Sequence, residues 1–159
     1  MQGAHVLLAE SGPWRSAYLQ GAFELRNGVP QGGGINTASP DMIKAMPPEM
    51  TFDYFAVRLN SPKAAGKKIV LNIDFTDLQQ PYALVVENGV LNYAKEPAAN
   101  ADAKITLAKG TLDRIQLKEI TPDQAITSGE MQIEGKRGAF GEFVGLLDSF
   151  PFWFNTVTP

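Results

Sequence analysis

Few side chains in this 159-residue chain could take part in catalysis. Cysteine is absent, which excludes disulfides, thiolate metal sites and cysteine nucleophiles. His5 is the only histidine, and no second histidine or carboxylate stands at helical or strand spacing from it to complete a zinc site. A Ser-His-Asp relay would need the same residue, and the sequence has no Gly-x-Ser-x-Gly motif. We therefore interpret His5 as an incidental residue near the terminus.

Pairs of carboxylates could act as the acid and base of a glycosidase. The candidate pairs are Asp74 with Asp77, Glu130 with Glu134, and Asp41 with Glu49. All of them fit solvated positions on strands or in turns better than a catalytic cleft. The glycines at 32–34 lack both the preceding strand and the following Lys-Ser/Thr pair of a phosphate loop. The sequence thus predicts a chain with no catalytic residue, metal or cofactor of its own.

The composition is that of a globular protein, with 44% hydrophobic and 19% charged residues. The net charge of -3 argues against a nucleic-acid partner, because phosphate binding needs a concentrated basic surface. No apolar run approaches the roughly 20 residues that span a bilayer. The first residues lack the basic start of a secretory signal and look like a helix entered midway, so we expect a piece of a longer protein.

The apolar side chains are concentrated near the C-terminus. Helical spacing places Phe140, Phe143, Val144 and Leu147 on one stripe, and the aromatic cluster at 150–154 follows it. Three methionines, Met42, Met46 and Met50, lie four residues apart, and methionine adapts its shape to variable apolar guests. Ordinary core packing accounts for the same pattern. Composition therefore leaves a ligand cavity and a filled core as alternatives.

The hydrophobic periodicity predicts helices at 13–26, 39–46, 48–59, 109–117, 121–129 and 136–147. It predicts strands at 68–76, 82–87, 90–94, 103–108 and 130–134, with a hairpin turn at Asn88-Gly89. The helix at 48–59 is nearly apolar all round, so we expect it to lie deep. Leu112 and Ile115 are expected to face inward. The breaker-rich stretch at 29–38 is predicted to be a linker.

The first helix carries apolar side chains on two faces. Trp14, Tyr18 and Leu25 share one face, and Leu19 and Phe23 share the other. A helix with two apolar faces must pack against two surfaces. Those surfaces are either the core of this chain or another domain or subunit.

Short motifs follow one another in a fixed order from Ala101 onward. The strand Ala101–Leu107 is followed by a short helix, by Thr121–Ala125, and by the Ser-Gly-x-x-x-Ile-x-Gly stretch from Ser128 to Gly135. This order resembles that of the sterol carrier protein type 2 family. In that family the next helix lines a lipid tunnel. The resemblance implies an α+β fold, with a five-stranded, mostly antiparallel sheet covered by helices and an apolar cavity or tunnel.

Other segments resemble the C-terminal part of bacterial alkyl sulfatases. Gly12–Arg15, Tyr18–Ala22 and Glu24–Arg26 are similar to the end of the dimerisation region in those enzymes. Ser39–Asp41, Phe52–Leu59 and Phe150–Asn155 are similar to their sterol-carrier-like domain. In that family a zinc hydrolase domain of metallo-β-lactamase type comes first. Its histidine- and aspartate-rich motifs are absent here, so zinc belongs to the missing parent domain and no catalytic residue carries over.

The resemblance implies three segments: the end of the dimerisation region at 1–28, a linker at 29–38 and the sterol-carrier-like domain at 39–159. The implied function is non-catalytic binding of the aliphatic tail of alkyl sulfate esters for a zinc-dependent alkyl sulfatase. The alternatives are a structural or dimerisation domain without a ligand, and a free-standing lipid carrier. A periplasmic or secreted location would follow from the same resemblance.

The expected partners are a long-chain alkyl or lipid-like small molecule, the catalytic and dimerisation domains of a parent enzyme, and a second copy of the chain. The residues expected to line the ligand site are Phe140, Phe143, Val144, Leu147, Phe152, Trp153, Met46, Met50 and Phe55. The residues expected at a dimer contact are Trp14, Tyr18 and Leu25. Arg58, Lys136 and Arg137 are either near a bound sulfate or ordinary surface charges.

Overall fold

A computed structural model describes residues 11–30, 39–150 and 154–157. The chain forms two compact units, one of Met1–Thr37 with Phe150–Pro159 and one of Ala38–Ser149. In the smaller unit, helix α1 spans Gly12–Asn27 and ends at Gly28, whose φ of 75° suits glycine. The Glu24 carboxylate of α1 is 2% exposed and accepts hydrogen bonds from the backbone N–H groups of Thr156 at 2.8 Å and Val157 at 3.2 Å.

The larger unit is built on one five-stranded sheet within the described residues. Its strands are β1 Lys68–Phe75, β2 Gln80–Glu87, β3 Val90–Ala94, β4 Ala103–Leu107 and β5 Met131–Gly135. They lie in the order β3-β2-β1-β4-β5. Strand β1 pairs antiparallel with β2 and parallel with β4, while the β2–β3 and β4–β5 pairs are antiparallel. The predicted α+β fold with a mostly antiparallel sheet is confirmed.

The helices of this unit are α2 Pro40–Ala45, α3 Pro48–Arg58, α4 Ser61–Ala64, α5 Lys109–Gln116, α6 Pro122–Thr127 and α7 Arg137–Gly145. Polar side chains fix several of their starts. Ser39 accepts from the N–H of Met42, and Thr121 and Gln124 form a reciprocal capping box. The short helix α4, which the sequence analysis did not predict, begins with Asn60 accepting from the N–H of Lys63.

The core lies between the sheet and these helices. The predicted alternation in β1 is confirmed, because Ile69, Leu71, Ile73 and Phe75 are buried while Asn72 and Asp74 are only half-buried. Aromatic rings join α3 to the sheet, with the Phe52 centroid 5.1 Å from that of Tyr82 and 5.4 Å from that of Tyr93. The largest side chains that are fully buried are Tyr82, Phe52, Phe75, Phe143, Leu71, Leu84, Ile105 and Met131.

The expectation that the helix at 48–59 lies deep on all sides was wrong. Phe52 and Phe55 are buried, but Met50 is 54% exposed and Val57 is 76% exposed. The helix packs one face against the sheet and turns the other to solvent, because a helix on the outside of a single sheet has only one surface to contact. In the described part of the chain, no helix is both long and apolar enough to cross a membrane.

Candidate functional site

An apolar pocket with a volume of about 470 Å³ lies within the larger unit. Small-molecule sites typically enclose roughly 300–1,000 Å³, so the pocket is large enough for a small amphiphile. Its walls come from α3, β1, α5, α7 and the segment that joins α5 to α6. The apolar residues that line it are Phe55, Ile73, Leu112, Ile115, Ile120, Pro122, Phe140, Phe143, Val144 and Leu147.

Helical periodicity explains why many of these side chains lie together in the lining. Along α7 and just beyond it, Phe140, Phe143, Val144 and Leu147 recur at three- and four-residue intervals and therefore share one face. Phe143 meets Phe55 of α3 edge to face, with ring centroids 5.9 Å apart. In the same way, the three-residue spacing of Leu112 and Ile115 on α5 places both side chains in the lining.

Backbone contacts tie the end of α7 to the end of α3 and so fix two walls of the pocket. Leu59 and Leu147 form an isolated antiparallel bridge. The N–H of Asn60 donates to the carbonyl of Leu146 at 2.9 Å, and the N–H of Asp148 donates to the carbonyl of Arg58 at 2.8 Å. These links involve residues almost 90 positions apart, so the pocket depends on the tertiary fold.

Most polar side chains in the lining already have a partner or face solvent. The Nε of Arg58 donates to the carbonyl of Asp148 at 2.7 Å, and its guanidinium lies 5.3 Å from the centroid of the Tyr54 ring. Thr121 caps α6. Lys118 and Ser149 are exposed.

Gln116, the last residue of α5, differs from these polar neighbours. Both polar atoms of its side-chain amide, Nε2 and Oε1, are buried, and neither has a hydrogen-bond partner among the described residues. Buried polar groups are almost always paired, so an amide with two unpaired atoms beside a pocket is unusual.

The charged groups of the lining are cationic. Arg58 and Lys118 are both present, and the described lining contains no carboxylate. Lys118 lies two residues beyond the end of α5 in the left-handed conformation, with φ of 59°, and its N–H donates to the carbonyl of Ile115 at 3.0 Å. The nearby Asp148 is held by Lys63 and Asn60, whose hydrogen bonds lower the pKa of its carboxyl. The pocket therefore presents a weakly positive rim.

The structure brings together five of the side chains that the sequence analysis assigned to a ligand site: Phe55, Phe140, Phe143, Val144 and Leu147. Met46 and Met50 do not line this pocket, and Phe152 and Trp153 lie outside the described residues. Gln116 and Lys118 line it but were not predicted. Nothing in their local sequence marks them, because each is an ordinary polar residue at a helix end.

The remaining predicted residues lie elsewhere. Lys136 pairs with Asp102 at 2.7 Å and, like Arg137, does not line the pocket. On α1, Trp14, Tyr18 and Leu25 are 67%, 58% and 53% exposed. Over the ranges that the structure describes, no group of three or more His, Cys, Asp or Glu side chains could hold a metal ion.

Several proteins similar in sequence to this chain are alkylsulfatases. The family model for the alkyl sulfatase C-terminal region matches residues 36–159. A linear primary-alkylsulfatase from Pseudomonas sp. is 52% identical over 152 residues, which are 95% of this chain and 23% of that protein. An alkyl/aryl-sulfatase from Saccharomyces cerevisiae is 40% identical over 151 residues, again 95% of this chain and 23% of that protein. The chain spans about a quarter of the length of these relatives.

Solved structures include both an alkylsulfatase and a protein that shares only the fold. A stereoselective inverting sec-alkylsulfatase from Pseudomonas sp. superposes with a TM-score of 0.84 at 39% identity, covering 98% of this chain and 24% of that one. The ubiquinone synthesis protein UbiJ-SCP2 superposes with a TM-score of 0.50 at 19% identity, covering 62% of this chain and 90% of that one. The second likeness is one of fold alone.

Proposed function

Because the chain belongs to the alkyl sulfatase C-terminal family, we propose that it is a non-catalytic module that binds aliphatic chains in its apolar pocket. The relatives are about four times as long, so the module would act beside a catalytic domain located elsewhere in a longer protein. Its task there would be to recruit the alkyl tail of a sulfate ester. The observation that carries the proposal is the pocket of about 470 Å³, with ten apolar residues in its lining.

The energetics of tail burial set the expected affinity. Each buried CH₂ contributes roughly 0.8 kcal/mol, so a twelve-carbon tail offers about 9 kcal/mol before losses. Association entropy and ordering of the tail remove several kcal/mol of this. The remainder, about 4–6 kcal/mol, corresponds to dissociation constants on the order of 0.1–1 mM for a twelve-carbon tail, and micromolar binding would require almost no loss. Affinity should rise with each added carbon until the tail fills the pocket.

The test is calorimetric titration of the full chain with n-alkyl sulfates below their micelle thresholds and with n-alcohols below their solubility limits, from hexyl to dodecyl. The pocket variant is Val144→Glu, because Val144 lines the pocket yet is 38% exposed, so a charge there need not unfold the protein. A charge in the wall should weaken binding by at least about tenfold. The matched control is Val57→Glu, which alters a 76% exposed valine outside the pocket and should leave binding unchanged.

Two results would contradict the proposal. One is the absence of saturable binding below the micelle threshold. The other is an equal affinity of the Val144→Glu variant and the unaltered chain for every ligand of the series. Either would favour the structural alternative, a domain that stabilises its parent enzyme and holds no ligand.

A second function, contact with another protein surface, is favoured by helix α1. Its described residues include five large apolar side chains that are about half exposed or more: Trp14, Tyr18, Leu19, Phe23 and Leu25. Several exposed apolar side chains on one short helix are typical of an interaction surface. Since the leading segment resembles the end of a dimerisation region, we propose that α1 contacts a second copy of the chain.

A further inference from the structure

We infer that the pocket prefers a long-chain alcohol to the corresponding sulfate ester, and that the side-chain amide of Gln116 makes this distinction. The inference rests on the proposed function and names the ligand class of the same site. It starts from the two buried amide atoms of Gln116 that have no hydrogen-bond partner in the described structure. Among the described lining residues, no other side chain has buried polar atoms without a partner, because Arg58 and Thr121 form hydrogen bonds and Lys118 and Ser149 are exposed.

The chemistry of an amide sets which head group would satisfy it. The amide offers two donor hydrogens on Nε2 and an acceptor on Oε1. A hydroxyl group both donates and accepts, so a single alcohol head can pair with both atoms of Gln116. The oxygens of a sulfate ester only accept, which would leave Oε1 unpaired, and a neutral amide cannot compensate a full charge taken out of water. An alkane pairs with neither atom.

The cationic side chains of the rim, Lys118 and Arg58, favour the sulfate ester over the alcohol. Their contribution to affinity is smaller than that of the Gln116 amide. The lysine of the rim is exposed, so salt and water screen its charge. Arg58 already donates its Nε to Asp148 and lies over Tyr54. Screened surface charges change affinity by a few-fold at most. The Gln116 amide is already unpaired in the ligand-free chain, so a hydroxyl that pairs with both of its atoms, by contrast, gains about tenfold in affinity.

Gln116 forms part of the lining, but its amide atoms are closed to solvent in the ligand-free chain. Pairing with an alcohol therefore requires a rotation about the side-chain bonds that turns the amide into the pocket when the alcohol binds. Hydrolysis of an alkyl sulfate ester releases an alcohol with the same carbon chain. The preferred ligand would therefore belong to the class of the reaction product. The module would recruit the ester through its tail and bind the alcohol more tightly once the ester has been cleaved.

The experiment compares three ligands of similar length on the full chain by calorimetry: decanol, methyl nonyl ether and decyl sulfate. The ether accepts but cannot donate, so it isolates the contribution of the hydroxyl proton. We expect decanol to bind roughly tenfold more tightly than either of the others. In Gln116→Leu, which has similar volume and no polar atom, this preference should disappear while the ether binds at least as well as to the unaltered chain. The control is Gln132→Leu, since Gln132 is exposed on β5 and does not line the pocket.

The stability of the variants gives a second readout. Removing an unpaired buried amide should leave the midpoint of thermal unfolding of Gln116→Leu unchanged or raise it. If leucine fits poorly, Gln116→Met supplies a more flexible apolar side chain for the same comparison. Equal affinity for all three ligands, or tightest binding of decyl sulfate, overturns the inference while the proposed function stands. No saturable binding of any of the three ligands overturns both.

Discussion

Gly135 shows how a single residue carries part of the family motif. It closes the stretch from Ser128 that resembles sterol carrier proteins, and its φ is +92°. A Cβ at this position would lie 2.6 Å from the carbonyl oxygen of Asp102 and 3.3 Å from the Cα of Ala103. The glycine is therefore required by both the backbone conformation and the close approach of β4 to β5. Gly129 in the same motif has φ of +80° but open space around it.

This difference gives a prediction for the two glycines. Gly129→Ala should lower the free energy of unfolding by about 1–2 kcal/mol, which is the cost of a left-handed conformation for alanine. Gly135→Ala should lower it by roughly 3 kcal/mol or more, because a steric overlap with backbone is added to that cost. Urea unfolding of both variants measures the difference. Equal destabilisation of the two variants would mean that the backbone at the start of β4 moves away from residue 135. The close contact there would then not require glycine.

Phe143 shows that one side chain can belong to both the core and the pocket. It is 1% exposed, stacks edge to face with Phe55, and also lines the pocket. Substituting it would remove core packing together with any ligand contact. Val144, the next residue along α7, is the better probe of binding because it is partly exposed.

At the scale of the element, α1 differs from the helices of the larger unit. Its buried described residues are Gly21 and Glu24, whereas its large apolar side chains face outward. The buried side of α1 holds the C-terminal segment, because Glu24 binds Thr156 and Val157. A Cβ on Gly21 would meet a methyl group of Val157 at 3.0 Å. The described C-terminal residues 154–157 thus pack in the same unit as the leading helix.

We predict that the exposed apolar face of α1 drives self-association. The double variant Trp14→Glu/Tyr18→Glu should shift the full chain from dimer to monomer, because burying two charges at an apolar contact is costly. Sedimentation velocity at several concentrations measures the change. Ser16→Glu, on an exposed polar position of the same helix, is the control and should leave the dimer intact. A chain that is monomeric before any substitution would contradict the prediction.

At the scale of the whole molecule, the division into two units predicts independent folding of the larger one. The described residues of its main core cluster lie between Phe52 and Leu146, all within the larger unit itself. A chain of Ala38–Ser149 should therefore unfold cooperatively on its own. Circular dichroism and thermal melting test this expectation. Loss of the cooperative transition would show that Met1–Thr37 or the segment after Ser149 is needed for the fold.

The sequence by itself determined the order and type of most elements, the hairpin turn at Asn88-Gly89 and the family. These features are local, because a 3.6-residue or two-residue period, a capping residue and a turn dipeptide each act within a few positions. For the same reason the stripe on α7 could be predicted, and with it three side chains of that helix that line the pocket. Helix α4 is too short for its periodicity to be recognised.

Only the tertiary structure decided which faces are covered and where space remains. The pocket is bounded by Phe55, Ile73, Leu112 and Phe140, which are distant in sequence. The shape of the pocket follows from how α3, α5 and α7 pack on the sheet. Periodicity predicts which face of its own helix or strand a side chain lies on, but not which side chains of other elements it contacts. The same holds for Met50, which is apolar yet exposed, and for Gln116, whose lack of a partner depends on groups far along the chain. Burial and hydrogen-bond pairing are properties of non-local contacts, and the sequence pattern of one element does not contain them.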